Sequence, residues 1–278
     1  MGGFVIRPVS ACDLEALDAI SAATWDGEDY LSDVALRWMD EGGFFAGEYE
    51  GRVVGCAKLS RMPGGIAWLE GLRVHPEAQG RGWGKALSAY VTGLAERMVA
   101  EGRASCIEFC TYYKNERSIA ISTAAGFEPV ESFVILGIEK PGCPASVTRC
   151  AGLDRSDLAC YEEHIPFSWK PPLNTSGVLE WLEGQIEVWR HGRARFFNRT
   201  RTEDFTLCSS GLEAPSDAVE GILAASAVQG LEYCCAILPR GDRRLVEEFM
   251  ERGFRWWEEP REPNMLIFRK TSRAQGAS

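Results

Sequence analysis

The run LEGLRVHPEAQGRGWGK, residues 69–85, decides how the first half of this chain is read. Its opening belongs to a strand, Trp68–Val74. Its end, Gln79-Gly80-Arg81-Gly82-Trp83-Gly84-Lys85, sets three glycines at the opening of a helix predicted over Gly84–Glu101, with Leu87, Val91, Leu94 and Met98 on one face. Glycine lets the backbone turn sharply and bring successive N–H groups to the surface. A helix start adds unpaired donors and the positive end of its dipole. Together they make an anion site, most naturally for a diphosphate. Two familiar phosphate loops are excluded. A P-loop needs Gly in place of Gln79 and Ser or Thr in place of Ala86. The dinucleotide fingerprint needs Gly in place of Lys85.

Working outward, Phe4–Arg7 reads as a first strand, and Ser10 with Asp13 three residues on signals a helix start. Leu14, Leu17 and Ile20 follow at helical spacing, and a second short helix ends near Trp38–Met39. Phe44–Glu48 and Val53–Leu59 form a hairpin around Glu50–Gly51. Ser105–Tyr112 is a strand, and a helix from about Asn115 stops at Gly126. Two more strands are expected up to Glu139. Strands alternating with helices predict an α/β (α+β) fold.

Pro141, Gly142 and Pro144 break the pattern, and the sequence then begins again. Trp38-Met-Asp is echoed by Trp181-Leu-Glu, Gly51-Arg52 by Gly192-Arg193, and Asn115…Gly126-Phe127 by Asp242…Gly253-Phe254. The offset is 141 residues at the hairpin and 127 at the last helix, so the second copy has lost 14 residues between them. That interval holds the glycine loop in the first copy. The corresponding stretch of the second, SSGLEAPSDAVEG, has a proline and no glycine-rich helix start. The organisation expected is a domain over 1–140, a linker 141–146, a degenerate repeat 147–271 and a disordered tail 272–278.

With Gln79, Gly82 and Gly84 as R/Q-x-x-G-x-G/A, the preceding strand, and Asn115 followed by Gly126-Phe127, the first half resembles the GNAT family of N-acetyltransferases. The whole chain resembles tandem GNAT proteins in which one copy keeps the cofactor site. The resemblance implies a mixed, mostly antiparallel sheet flanked by helices in each copy. It implies acetyl-CoA as co-substrate, its pyrophosphate on the N–H groups of Gly80, Arg81, Gly82, Trp83, Gly84 and Lys85. The pantetheine arm would run along the backbone of Leu72, Arg73 and Val74, at a sheet edge opened by a splay, with Asn115 touching it.

Acetyl transfer to an amine needs a base for the ammonium proton and an acid for the departing thiolate. Glu70 is the base candidate, read as sharing a strand face with Leu72 and Val74 and aligning with a carboxylate of polyamine-type members. His75 is nearer the loop and reads as a solvent-facing turn residue. The family's tyrosine acid falls at Ser122, a weaker proton donor than a phenol. Tyr112, Tyr113 or water are the substitutes. Trp25, Asp26, Glu28, Asp29 and Tyr30, with Asp33 beyond, lie where the family builds its acceptor pocket. Carboxylates beside aromatics suit an amine.

Composition narrows the partners. The net charge is −10, with 20 acidic and 13 basic residues over 1–140. No basic stripe suits nucleic acid, and no apolar run suits a bilayer. MGGFVIRP has no charged-then-apolar leader layout, so a cytoplasmic address is expected. The ten cysteines include no CxxC, and Cys106, Cys110, Cys234 and Cys235 sit in apolar runs as buried thiols, so no metal site is expected. The function expected is acetyl-CoA-dependent N-acetylation of a primary amine, on a small molecule or a peptide, by a monomer or homodimer. The alternative is a non-catalytic acyl-CoA-binding or sensing protein.

Overall fold

The computed structural model describes residues 3–27, 29–142, 145–200 and 202–271, without the side chain of Asp26. Glu28, Pro144 and the tail expected over 272–278 lie outside those residues. The first copy runs β1 (Val5–Pro8), α1 (Leu14–Ala22), α2 (Leu31–Glu41), β2 (Phe44–Tyr49), β3 (Arg52–Met62), β4 (Ile66–Val74), α3 (Trp83–Ala100), β5 (Cys106–Tyr112), α4 (Glu116–Ala124) and β6 (Glu128–Glu139). A single strand therefore stands where two were expected before Glu139. The second copy runs β7 (Thr148–Cys150), α5 (Val178–Leu182), β8 (Ile186–His191), β9 (Ala194–Arg199), β10 (Asp204–Leu207), α6 (Ser209–Glu213), α7 (Pro215–Gln229), β11 (Tyr233–Pro239), α8 (Arg243–Glu251), β12 (Arg255–Trp256) and β13 (Met265–Lys270).

These elements form two compact units, each a mostly antiparallel sheet flanked by helices. The first takes the chain up to Phe109, Glu116–Glu128 and the end of the last strand from Phe268. The second takes Cys110–Asn115 and Pro129–Ile267. The division thus differs from one at residue 140. β6 goes to the second unit because it pairs with β11 from Phe133↔Pro239 to Glu139↔Tyr233 and carries Val134 and Leu136 into that unit's core. The first unit instead receives Phe268–Lys270 from the chain's last strand.

In the first unit β1, β2, β3 and β4 are joined antiparallel and β5 lies parallel to β4. The β2–β3 turn places Glu50 and Gly51 at φ 51° and 78°, the pair of positive values a two-residue hairpin turn requires. Leu31, Ala35 and Trp38 recur at helical spacing on α2 and, with Leu17 and Ile20 of α1, bury one sheet face against Phe44 and Cys56. On the other face, Leu87 and Val91 of α3 pack on Ala57, with Leu69, Leu72 and Val74 of β4 around them. The capping signal read at Ser10 is present: Asp13 accepts from the Ser10 N–H and hydroxyl, each at 2.8 Å.

The second unit repeats this order. Antiparallel β7, β8, β9 and β10 lead to β11, which is parallel to β10. Most of the lost length falls in the central strands, which hold 11 and 9 residues as β3 and β4 but 6 and 4 as β9 and β10. Gly126 and Gly253, the matched helix-stop glycines, both have positive φ, 87° and 101°. Trp257, two residues before Glu259, is 38% exposed.

The nine cysteines among the described residues are all free thiols. Cys106, Cys234 and Cys235 are buried, whereas Cys110 is half-buried. Burial pushes the Cys106 thiol up to about 11 and that of Cys234 to about 12. Among the described residues no helix is long and apolar enough to cross a membrane, and no cluster of three metal-ligating side chains occurs.

Candidate active site

The glycine loop and the strand before it form one continuous feature of the first unit. β4 keeps β3 as partner up to Val74, but its ladder to β5 runs only from Ile66↔Cys106 to Trp68↔Glu108. Leu69–Val74 therefore lies beyond the β4–β5 pairing, a splay on the side opposite β3. The chain then turns through His75, whose Nδ1 accepts from the Glu77 N–H at 3.4 Å, and enters the loop at Gln79.

Gly80 and Gly82 have φ of 79° and 84°, values that L side chains rarely adopt, and a Cβ at either would meet nothing within 4 Å. Gly82 caps α3, whose first turn carries no acidic residue. An 18-residue helix starts here, and its first-turn N–H groups have no acceptor within the helix. Arg81 and Lys85 are exposed on the same turns. Trp83 stacks on Phe4 at 4.3 Å and has a buried indole N–H with no partner among the described residues. A diphosphate fits this cradle on charge, on space and on unpaired donors.

Gln79 is tied from two sides. Its amide nitrogen donates to the Val74 carbonyl at 3.1 Å, while Arg117 of α4 donates to its oxygen at 2.6 Å. The Leu72 carbonyl accepts from Arg73 Nη1 at 3.1 Å. A pantetheine arm pairing through these two carbonyls would replace side-chain donors already in place. Arg117 carries no signal of its own without the fold.

The structure corrects the strand face assigned to Glu70. Between Cys56↔Arg73 and Lys58↔Glu70, β3 has one intervening residue and β4 has two, a bulge at Gly71, whose φ is 67°. Leu69, Leu72 and Val74 pack toward α3, while Glu70 and Arg73 lie opposite Lys58 and Cys56 on the α1–α2 face. Glu70 is half-buried there, and its carboxylate accepts from the Ser60 hydroxyl at 2.5 Å. A Cβ on Gly71 would strike the Trp38 ring at 2.5 Å, so glycine is needed where the bulge reverses the pattern. Ser60 was legible only through register: Pro63-Gly64-Gly65 closes the β3–β4 turn at Met62↔Ile66, and counting back reaches it.

The acidic segment is also different from expectation. Asp29 is fully buried, and Arg73 grips it with Nε at 2.9 Å and Nη2 at 3.0 Å. The Arg73 guanidinium lies 4.4 Å from the Trp25 ring centroid and 5.4 Å from that of Tyr30. Asp29 is thus neutralised by a neighbouring arginine and is not offered to an amine. Its pairing raises the Arg73 pKa against the opposing effect of burial. Asp33 is exposed on α2.

Of the candidate acids, Ser122 is 8% exposed on α4, and its carbonyl accepts from the N–H groups of Ala125 and Phe127. That burial turns it into a helix-end packing residue, a poor route for a proton to solvent. Tyr112 and Asn115 belong to the second unit. There Tyr112 packs on Tyr113 and Trp257 at 4.7 and 5.7 Å, and burial raises its phenol above the ordinary tyrosine range. Asn115 donates to the Thr111 hydroxyl at 3.1 Å, and Tyr113 donates to Glu259 at 2.6 Å.

Among its described residues the second unit builds no comparable cradle. β10 runs into α6, where a Cβ on Gly211 would meet the Arg195 carbonyl at 2.7 Å, so backbone fills the turn. Asp217 already occupies the first turn of α7 and accepts from the Arg193 N–H at 2.8 Å.

The fold is the GNAT fold, a mostly antiparallel sheet flanked by helices. Residues 14–127 match the model of the Acetyltransferase (GNAT) family, and the chain carries a GNAT domain in its first half. Over its whole length the fold is that of tandem GNAT proteins. A candidate acetyltransferase from Thermoplasma acidophilum superposes with a TM-score of 0.67 at 16% identity, covering 96% of this chain and 99% of its own. A GCN5-related N-acetyltransferase from Sphaerobacter thermophilus gives 0.65 at 14% identity, covering 96% and 95%. A tandem GNAT protein from the clavulanic acid biosynthesis pathway gives 0.61 at 14% identity, covering 99% and 100%. No curated protein matches the sequence.

Proposed function

We propose that this protein is an acetyl-CoA-dependent N-acetyltransferase that acetylates a primary amine of a small molecule or peptide by direct attack. The observation that carries the reading is the splay of β4 beyond Trp68 leading straight into the open Gly80–Gly84 cradle. Acetyl-CoA would lay its diphosphate on the cradle, with Gln79, Arg81, Trp83 and Lys85 around it. Its pantetheine would follow Leu72–Val74, and Asn115 is the remaining proposed contact. Glu70 emerges from the same strand on the α1–α2 face and takes the ammonium proton. The amine nitrogen then attacks the thioester carbonyl, the C–S bond breaks, and the thiolate receives a proton from Tyr112 or water. The second copy binds no acetyl-CoA in this reading. The enzyme works in the cytoplasm as a monomer or homodimer and uses no metal.

The decisive test is calorimetric titration with acetyl-CoA, followed by mass-spectrometric detection of acetylated product over an amine panel. Tight binding with turnover supports the proposal. A second reading, acyl-CoA binding without catalysis, is favoured by the buried Ser122 in the place of the family's tyrosine. Binding without turnover of any amine would select it.

A further inference from the structure

We infer that Arg73 is a specificity-determining positioning residue that straps the segment carrying Trp25 and Tyr30 down beside Glu70, so that these two rings select the acceptor. The inference rests on the reading of Glu70 as base.

Three observations place the strap, all within the first unit. The first is charge: a buried carboxylate, Asp29, receives both Nε and Nη2 of Arg73 in a fork that a lysine cannot reproduce. Asp29 is also fixed from behind, where the Ser21 hydroxyl of α1 donates to its carbonyl at 2.8 Å. The second is stacking. Trp25 and Tyr30 lie against the guanidinium, yet keep 52% and 39% of their surface exposed, so each still presents surface to a visitor. Trp25 holds φ 48°, a conformation uncommon for a residue with a side chain. The third is register. The Gly71 bulge puts Arg73 on the face of Glu70, three residues away, whereas a regular strand would have sent the two to opposite faces.

The chemistry selects an acceptor whose amine is carried on a flat or apolar body. The body lies on Trp25 and Tyr30 while the nitrogen reaches Glu70. A highly charged polycation gains little here, because Asp29 is already matched by Arg73 and a second cation would meet the guanidinium.

The experiment compares Arg73→Lys, Asp29→Asn and Trp25→Ala in the full chain, using an arylalkylamine and spermidine as acceptors. For each, acceptor KM, kcat and the acetyl-CoA dissociation constant are measured. The expected result is an arylalkylamine KM raised tenfold or more in all three, an arylalkylamine kcat/KM that falls at least tenfold relative to that of spermidine, and acetyl-CoA affinity changed less than threefold in Asp29→Asn and Trp25→Ala. Trp25→Ala guards against simple misfolding, since half of that side chain is already in solvent. If the wild type prefers spermidine, or if acceptor KM stays unchanged, the strap does not select the acceptor and the inference is overturned. A wild type that binds acetyl-CoA but acetylates neither amine, nor any other in the panel, would overturn the functional reading first and this inference with it. Loss of acetyl-CoA affinity in Asp29→Asn in parallel with acceptor KM would mark the Asp29–Arg73 pair as merely structural and overturn the inference.

Discussion

Arg269 donates Nε to Glu108 at 2.5 Å, joining the chain's last strand to a carboxylate that is wholly out of solvent. Beside this pair Phe268 stacks on Phe109 at 5.2 Å, and Lys270 reaches Glu96 of α3 at 2.7 Å. The unit that carries the glycine loop is therefore closed by residues some 160 positions downstream of the strand they support. A buried carboxylate without its partner is a larger liability than the pair is an asset, because desolvation remains when attraction is gone.

A fragment of residues 1–140 should thus be unstable as well as incomplete. It retains Glu108 but lacks Phe268, Arg269 and Lys270. In the full chain, Arg269→Ala should cost ~3–5 kcal/mol of stability, read by chemical denaturation. Replacing Glu108 and Arg269 together by Gln and Met should recover part of that loss. A soluble 1–140 fragment as active as the whole chain would refute this account.

Acetyl-CoA should bind once per chain, because Gly80 and Gly82 face open space while the matching turn of the second copy is filled by the Arg195 carbonyl. Calorimetry should give a stoichiometry near one, and a value near two would refute it. Gly82→Asp should weaken binding at least a hundredfold. It sets a carboxylate where the diphosphate lies and forces a side chain into φ 84°. Gly82→Ala, which adds strain without charge, should be the milder variant.

The loop was legible because its signal is local: glycines, a strand before and a helix after. The repeat was legible for the same reason, since Gly126 and Gly253 mark helix ends by their own conformation. What escaped the sequence depends on partners far along the chain. Assigning Glu70 to the face of Leu72 and Val74 assumed a regular strand, and the single extra residue at Gly71 reverses that alternation. Asp29 read as a free acceptor carboxylate because Arg73 lies 44 residues on. At the chain's end what escaped was not the strand but the unit it completes, because nothing in Phe268-Arg269-Lys270 announces it.

Glu70→Gln should lower turnover at neutral pH by ~10²–10⁴-fold, the usual contribution of a placed base, with acetyl-CoA affinity nearly unchanged. Ser60→Ala should lower kcat less, because it removes only the hydroxyl that orients the carboxylate, and Ser60→Thr should restore much of it. A Glu70→Gln loss below about threefold, far short of that contribution, would move the base to His75 or water.

The pair Arg7–Asp13 should show itself in the acid stability of the first unit. Arg7 donates Nη1 and Nη2 to the two Asp13 oxygens at 2.7 and 2.8 Å, and the Ser10 N–H and hydroxyl donate to the same carboxylate. The Arg7 hydrogen bonds, aided by those from Ser10, hold the Asp13 pKa down at about 2 against burial. A depressed carboxylate stabilises the fold above its unfolded value, 3.8, and that contribution fades as pH falls through the folded value. The shift corresponds to about 2 kcal/mol. Denaturation of the wild type and of Asp13→Asn at pH 6, 4, 3 and 2 isolates it, because other carboxylates titrate in both proteins and cancel. The wild-type advantage should be constant from pH 6 to about 5 and shrink by about 2 kcal/mol toward pH 2. An advantage that stays level across that range would mean Asp13 titrates alike in the folded and unfolded chain, and that its grip on Arg7 is geometric only.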